Sequence, residues 1–257
     1  MNTLAIHYCA HDANACIYSD KIEYYFLEER YSRKKHDHGL LNIYKNLIKT
    51  KQKIDCIVIS NLGKKTITAD RNYQLLKAYI HHHNKLHGCK PKLLKDSRHH
   101  LFHASGAYYN SGYKDALVVI ADGMGENNNG KYEMETIYEV RDNKFKEIYK
   151  NKGGDKSRVG VGILYGLAAL NMGETEFDAG KAMGLSSYGN PTYQKQLSKL
   201  LYNTDDGYKL NLKYFIHQDQ NIVKNNKMGQ IEYFDLYSKE LINLIGNERK
   251  YDEKLNQ

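Results

Sequence analysis

The stretch Ser97–Glu126, SRHHLFHASGAYYNSGYKDALVVIADGMGE, decides how the chain is read. Ser97 is placed to cap a helix over Arg98–Asn110. On that helix His99 and His103 stand four residues apart, so both imidazoles lie on one face and can reach one ion. Ala104, Ser105, Gly106 and Ala107 keep the helix slim enough to pack closely on a sheet. The apolar run Ala116–Ala121 reads as a central buried strand. Asp122 follows at its carboxyl end, where α/β sheets place ligands. A histidine pair at this spacing is by itself most often structural, and the aspartate is what raises it. His99, His103 and Asp122 are thus a candidate three-ligand site whose nitrogen and oxygen donors suit Fe2+, Mn2+ or Zn2+. His100, on the neighbouring face, reads as packing or support.

Around this stretch the chain is ordinary. Its 257 residues, 41% hydrophobic and 26% charged, suffice for one large domain or two lobes with a substantial core. No apolar run approaches a membrane span, and the N-terminus reads as a first strand rather than a secretory leader. Cys9, Cys16, Cys56 and Cys89 form no Cys-x-x-Cys pair, which points to reduced thiols in the cytoplasm and away from a zinc ribbon. The net charge of +8 is spread among interleaved acids, so it reads as a solvated lysine-rich surface rather than a nucleic-acid footprint.

Leu4–Cys9, Asn14–Tyr18 and Ile22–Glu28 read as a three-stranded meander turning at Ser19-Asp20-Lys21. Helices are expected at Leu40–Lys51 and Asn72–His83, and strands at Cys56–Ser60 and Lys92–Lys95. After Gly130 a hairpin is expected, Tyr132–Val140 with Lys144–Lys150, turning at Asp142-Asn143. A Gly-spaced helix over Val159–Met172, a Gly-rich crossover over Asp178–Gly189, a helix from Pro191 to Leu201 and a polar helix from Gln230 to Arg249 complete the reading. The pattern predicts a two-lobed α/β fold, with a ribonuclease H-like first lobe over 1–128 and a second over 129–257.

Four further segments carry possible chemistry. In Asp122-Gly-Met-Gly-Glu126, Gly123 and Gly125 can let backbone amides approach an anion, or simply make a turn into a hairpin. His11-Asp12-Ala-Asn-Ala15 follows the first strand, where His11 is either a general base for an acceptor hydroxyl or a turn histidine. Glu28-Glu29-Arg30-Tyr-Ser-Arg33-Lys34-Lys35-His36 is either a solvated loop or a phosphate cradle. Ala179-Gly180-Lys181-Ala-Met183-Gly184-Leu-Ser-Ser-Tyr188-Gly189 lacks the full P-loop spacing, although Lys181 between small residues can neutralise a phosphate. His81-His82-His83 with His87 reads as surface.

Taken in order over Leu4–Pro191, these motifs resemble the NodU/CmcH-type carbamoyltransferases. Those carrying the likeness are H-D-A-x-A, E-E-R-x-x-R-K-K-H, H-H-x-x-H-A, A-L-V-x-x-x-D-G-x-G-E, G-x-L-Y and G-K-x-M-G-L-x-x-Y-G. The resemblance implies a two-lobed actin-like domain related to the tRNA threonylcarbamoyltransferase subunit, followed in the family by a YrdC-like domain. That domain makes carbamoyl adenylate from ATP and carbamoyl phosphate, and the actin-like domain holds iron and passes the carbamoyl group to an acceptor hydroxyl. It implies metal ligands at His99, His103 and Asp122 and a base at His11. It implies adenylate or phosphate contacts at Lys35, Gly123, Gly125, Glu126, Lys181 and Gly184. The chain ends at Gln257, ahead of a further aspartate ligand and the YrdC-like domain, which by the resemblance implies an incomplete second lobe and either a fragment or remnant lacking its C-terminal half or a split enzyme with a YrdC-like partner chain. The resemblance implies a small-molecule or nucleoside acceptor. The alternatives are a threonylcarbamoyl-type tRNA-modification enzyme and a non-catalytic actin-like binding module.

Overall fold

The computed structural model describes residues 1–8, 12–60, 67–123, 125–128, 131–153, 160–175, 178–205, 207–214, 223–225, 231–233 and 239–245. The chain divides into two compact units, Met1–His99 and His100–Gln257.

The first unit holds β1 (Thr3–His7), β2 (Asn14–Tyr18), β3 (Ile22–Leu27), α1 (Glu28–Ser32), α2 (Leu41–Thr50), β4 (Cys56–Ser60), α3 (Ile67–His87) and β5 (Lys92–Asp96). Its sheet has the order β3-β2-β1-β4-β5. β1 pairs antiparallel with β2 and parallel with β4, and β5 runs parallel to β4. This is the ribonuclease H-like arrangement expected of the first lobe. Alternation along β1 and β2 sends Leu4, Ile6, Ala15 and Ile17 into one core with Ile43 and Leu47 of α2 and Leu76 and Tyr79 of α3.

The second unit contains α4 (His99–Ser111, entering it at His100), β6 (Ala116–Ala121), β7 (Asn127–Asn128), β8 (Lys131–Arg141), β9 (Lys144–Lys152), α5 (Val161–Asn171) and α6 (Ala179–Ser186). β6 pairs antiparallel with β8, and so does β9. Because β6 shares its sheet with β8, it falls in the second unit, whereas the sequence reading placed 1–128 in the first lobe. The hairpin turns at Asp142 and Asn143, with φ of 46° and 61°. Paired left-handed residues match the twist of the flanking strands, and Asp and Asn tolerate that region better than most side chains.

Several expectations are corrected. β6 is not buried on both faces: Val118 and Ile120 are covered, but Leu117 and Val119 are 67% and 63% exposed. A wholly apolar run carries no periodicity to reveal this. The Gly-rich segment is the helix α6. The helix expected from Pro191 to Leu201 shrinks to α7 (Gln194–Leu197) and a 3-10 turn, and Leu201–Thr204 is a strand, β10, paired with β11 (Gly207–Leu210). In the tail, Ile231–Tyr233 is a strand, β13, paired with β12 (Val223–Asn225), and among the described residues there the helix is α8 (Lys239–Ile245). No helix among the described residues is long and apolar enough to cross a membrane.

Two polar side chains set the first unit's geometry. Glu28, 2% exposed, accepts the N–H groups of Asn42 (3.0 Å) and Ile43 (2.8 Å) and the Asn42 side-chain amide (2.9 Å). The carboxylate thereby caps α2, which begins after Leu40 and has no side-chain cap from that residue. His83 is buried rather than on the surface. Its Nε2 accepts the Ile54 N–H at 2.8 Å, and its Nδ1 faces the Cys89 carbonyl at 3.2 Å. Burial pushes the His83 pKa down, with the positive charge of Lys53 and the His87 ring adding to it, while the Cys89 carbonyl and Asp55 oppose.

Glu28→Ala is expected to cost about 2 kcal/mol, as a lost cap, and Glu28→Gln clearly less, read from urea unfolding midpoints. Because the folded pKa of His83 lies below its unfolded value, its contribution is complete above about pH 6.5. As pH falls below that, the unfolded chain takes a proton the folded chain refuses, and stability declines. The fall in melting temperature between pH 7.5 and 5.5 should shrink in His83→Gln, whose amide can keep both hydrogen bonds.

Candidate metal centre

Ala104 and Tyr108 of α4 pack on Val118 and Ile120 of β6, which ties the helix to the strand that ends at Asp122. One ligand atom from each of His99, His103 and Asp122 lies within 4.8 Å of the other two. His103 Nε2 is 4.0 Å from Asp122 Oδ2. Donors bonded to one ion at about 2.1 Å stand roughly 3 to 3.5 Å apart, so small side-chain rotations close the set. Asp122 Oδ1 accepts the Gly123 N–H at 2.7 Å, which directs Oδ2 toward the imidazoles. Such an outer hydrogen bond orients a ligating carboxylate. The His103 side chain is 54% exposed, so one side of the cluster is open. Two imidazoles, one carboxylate and an open side fit a divalent transition ion with room for an exogenous oxygen.

His100 stands behind this set. It is fully buried, with Nδ1 hydrogen-bonded to Thr136 Oγ1 at 2.7 Å. Its Nε2 is 3.8 Å from Asp122 Oδ2, too far for a hydrogen bond. The turn after Asp122 is laced to β8: Asp122 N–H donates to the Met134 carbonyl (3.0 Å) and Gly125 N–H to that of Glu133 (2.7 Å).

Close packing around this turn leaves no room for a side chain at Gly125, Gly160 or Gly162. A Cβ on Gly125 would lie 2.7 Å from His100 Nε2 and 2.9 Å from Glu133 Cβ. A Cβ on Gly162 would lie 2.5 Å from Gly123 N, and one on Gly160 would collide with the Asp122 carbonyl. The Gly123 N–H is held by Asp122 Oδ1 and the Gly125 N–H by the Glu133 carbonyl, while a Cβ on Gly123 itself would meet nothing nearer than 3.9 Å. The spacing Gly160-Val-Gly162 is the sequence signal for the other half of this backbone contact.

Other residues read from the sequence lie elsewhere. His11 is outside the described residues. Lys35 is an exposed residue of the first unit. Glu126 pairs through its backbone with Glu133, and its side chain is half-buried. Lys181, on α6, is held by Glu174 Oε2 at 2.6 Å and Asp178 Oδ1 at 3.4 Å, and those hydrogen bonds and charges raise its pKa. Gly184 lies one turn further along α6, exposed.

Two buried glutamates of β8 were not foreseen, because a Glu-x-Glu spacing in a strand ordinarily marks a solvated face. Glu135 accepts hydrogen bonds from Val161 N–H (2.9 Å), Tyr208 O–H (2.6 Å) and the Asn151 amide (2.6 Å). It anchors the first residue of α5. Glu133 pairs with Lys150 at 2.7 Å. Burial alone would raise the Glu133 pKa, but the hydrogen bond and charge of Lys150 outweigh it and hold the carboxyl below its usual range. Lys150 is correspondingly raised against its own burial by Glu133 and Glu147.

Residues 2–252 match the family described as carbamoyltransferase N-terminus. The chain belongs to that family. It is 30% identical over 124 residues to the nodulation protein NolNO of Sinorhizobium fredii, an alignment spanning 48% of this chain and 17% of that protein. Among solved structures it is similar to YeaZ from Pseudomonas aeruginosa, with 11% identity, 59% and 66% of the two chains covered and a TM-score of 0.35. It is also similar to MreB5 of Spiroplasma citri bound to ADP, with 8% identity, 95% and 74% covered and a TM-score of 0.34.

In this carbamoyltransferase N-terminus chain, Gly162→Ala should cost about 2 kcal/mol, as overpacking in a filled site does. Lys150→Met should cost about 3 kcal/mol, because it strands the Glu133 carboxylate. Both are read from unfolding midpoints of the purified chain.

Proposed function

We propose that this chain is the acceptor side of an O-carbamoyltransferase, moving a carbamoyl group from carbamoyl adenylate to a hydroxyl of a small molecule or nucleoside. The observation that supports it is the convergence of His99, His103 and Asp122 in a chain that belongs to the carbamoyltransferase N-terminus family. Fe2+ is the ion proposed for that set, where it would supply Lewis-acid polarisation of the donor's oxygens. The chain's own residues prepare the place. Gly123 N–H holds Asp122 Oδ1, His100 fills the space behind the carboxylate, and the exposed side of His103 leaves room for the donor.

His11 is proposed to take the acceptor's hydroxyl proton as its oxygen attacks the carbamoyl carbon. The bond from that carbon to the phosphate oxygen then breaks, and adenosine monophosphate leaves with the electron pair. Lys35, Lys181, Gly184 and Glu126 are the proposed adenylate contacts, Lys181 after exchanging Glu174 and Asp178 for phosphate. A YrdC-like unit, consuming ATP and carbamoyl phosphate, is the proposed source of the donor, and the cytoplasm the proposed setting.

After anaerobic reconstitution with Fe2+ and desalting, the wild-type chain should retain iron by inductively coupled plasma measurement. His99→Ala, His103→Ala and Asp122→Asn should each retain at least tenfold less. Equal iron in all four proteins would overturn the assignment of these ligands. His11→Ala should keep its iron yet lose carbamoyl transfer assayed with a YrdC-like domain, ATP and labelled carbamoyl phosphate.

A further inference from the structure

A second group of donors lies wholly within the first unit. Asp12, in the loop after β1, Glu29, in α1, and His36, in the turn after α1, place one ligand atom each within 4.8 Å of one another. His36 Nδ1 is 3.0 Å from Asp12 Oδ1, and Glu29 Oε2 accepts the His36 backbone N–H at 3.1 Å. The side chains of Asp12, His36 and Glu29 are 36%, 33% and 20% exposed, so an ion can enter from solvent yet meets a partly dehydrated pocket.

Backbone hydrogen bonds also hold the frame that carries these donors. Ala13 N–H donates to the Asp37 carbonyl at 2.9 Å, Glu28 N–H to the Ala13 carbonyl at 2.9 Å, and Arg33 N–H to the Glu29 carbonyl at 3.0 Å. Both Asp12 (φ 56°) and His36 (φ 57°) sit in the left-handed region. That region is costly for a side-chain-bearing residue and persists only where the surroundings over-determine it. Here it aims two donors from separate loops at one point. Two carboxylates held this close repel one another, and a divalent cation relieves that repulsion directly.

We infer that Asp12, Glu29 and His36 form a second divalent-cation site, separate from His99, His103 and Asp122. Two carboxylates and one imidazole make it the harder donor set of the two, suited to Mn2+ or Zn2+. An ion there would join the loop that carries the His-Asp-Ala motif to the basic turn Arg33–Lys35, making its loading a determinant of how the two segments are held.

The test is metal stoichiometry, measured with Mn2+ by electron paramagnetic resonance and with Zn2+ by equilibrium dialysis, on the full chain. Asp12→Asn and Glu29→Gln are the variants of choice. Each keeps an oxygen that can accept the existing hydrogen bond but removes the charge, so a role limited to hydrogen bonding survives them and a metal site does not. Circular dichroism and melting temperature in chelator should match wild type. His99→Ala/His103→Ala isolates the new site from the one in the second unit. The expected result is two bound ions in wild type, one in the double histidine variant, and loss of that remaining ion, or at least tenfold weaker binding, when Asp12→Asn or Glu29→Gln is added. An ion lost only with the histidines and indifferent to Asp12 and Glu29 would overturn the inference. An ion lost with Asp12→Asn but retained in the double histidine variant would support it even if the assignment in the second unit failed.

Discussion

The backbone of Asp122 and Gly123 runs against the backbone of Gly160 and Gly162 with no room for a side chain between them. The placement of Asp122 depends on this contact. It brings the start of α5 onto the turn that carries the Asp122 carboxylate. On the other side of that turn, Gly125 touches the buried ring of His100. Backbone packed this closely has few ways to move, so Asp122 presents one oxygen to Gly123 N–H and the other to the histidines of α4. A ligand set is only as precise as the elements behind it, and here those elements are main chain rather than flexible side chains.

Buried carboxylates recur as the fasteners of the fold. Glu28 caps α2, Glu135 receives the first amide of α5, and Glu133 neutralises Lys150 beside the Asp122 turn. Each costs desolvation, and each is compensated by two or more donors. The helix starts that Glu28 and Glu135 hold have exposed amide dipoles that a carboxylate satisfies well. These two acids fix where helices begin, whereas Glu133 is matched by the partly buried Lys150.

Much of the architecture could be read from local pattern. Alternation in Leu4–Ile6 and Ala15–Ile17, the Asp142-Asn143 turn and the run Cys56–Ser60 lie within a residue or two of the observed elements. The same reading failed where distant pairing overruled local preference. Leu201, read as the end of a helix, opens a strand that pairs with Gly207–Leu210, and β6 is apolar throughout yet covered on one face.

The sequence by itself determined the family and the three proposed ligands, because a helix with His-x-x-x-His and a strand ending in Asp each carry their geometry locally. Only the tertiary structure decided that Gly125, Gly160 and Gly162 sit where a Cβ would collide with neighbouring atoms. It also revealed that Glu133 and Glu135 are buried, and that Asp12, Glu29 and His36 meet. Those outcomes depend on which segments approach one another across intervals of chain that no local period encodes. A glycine looks the same in sequence whether its missing Cβ makes room for a phosphate or for the protein's own backbone.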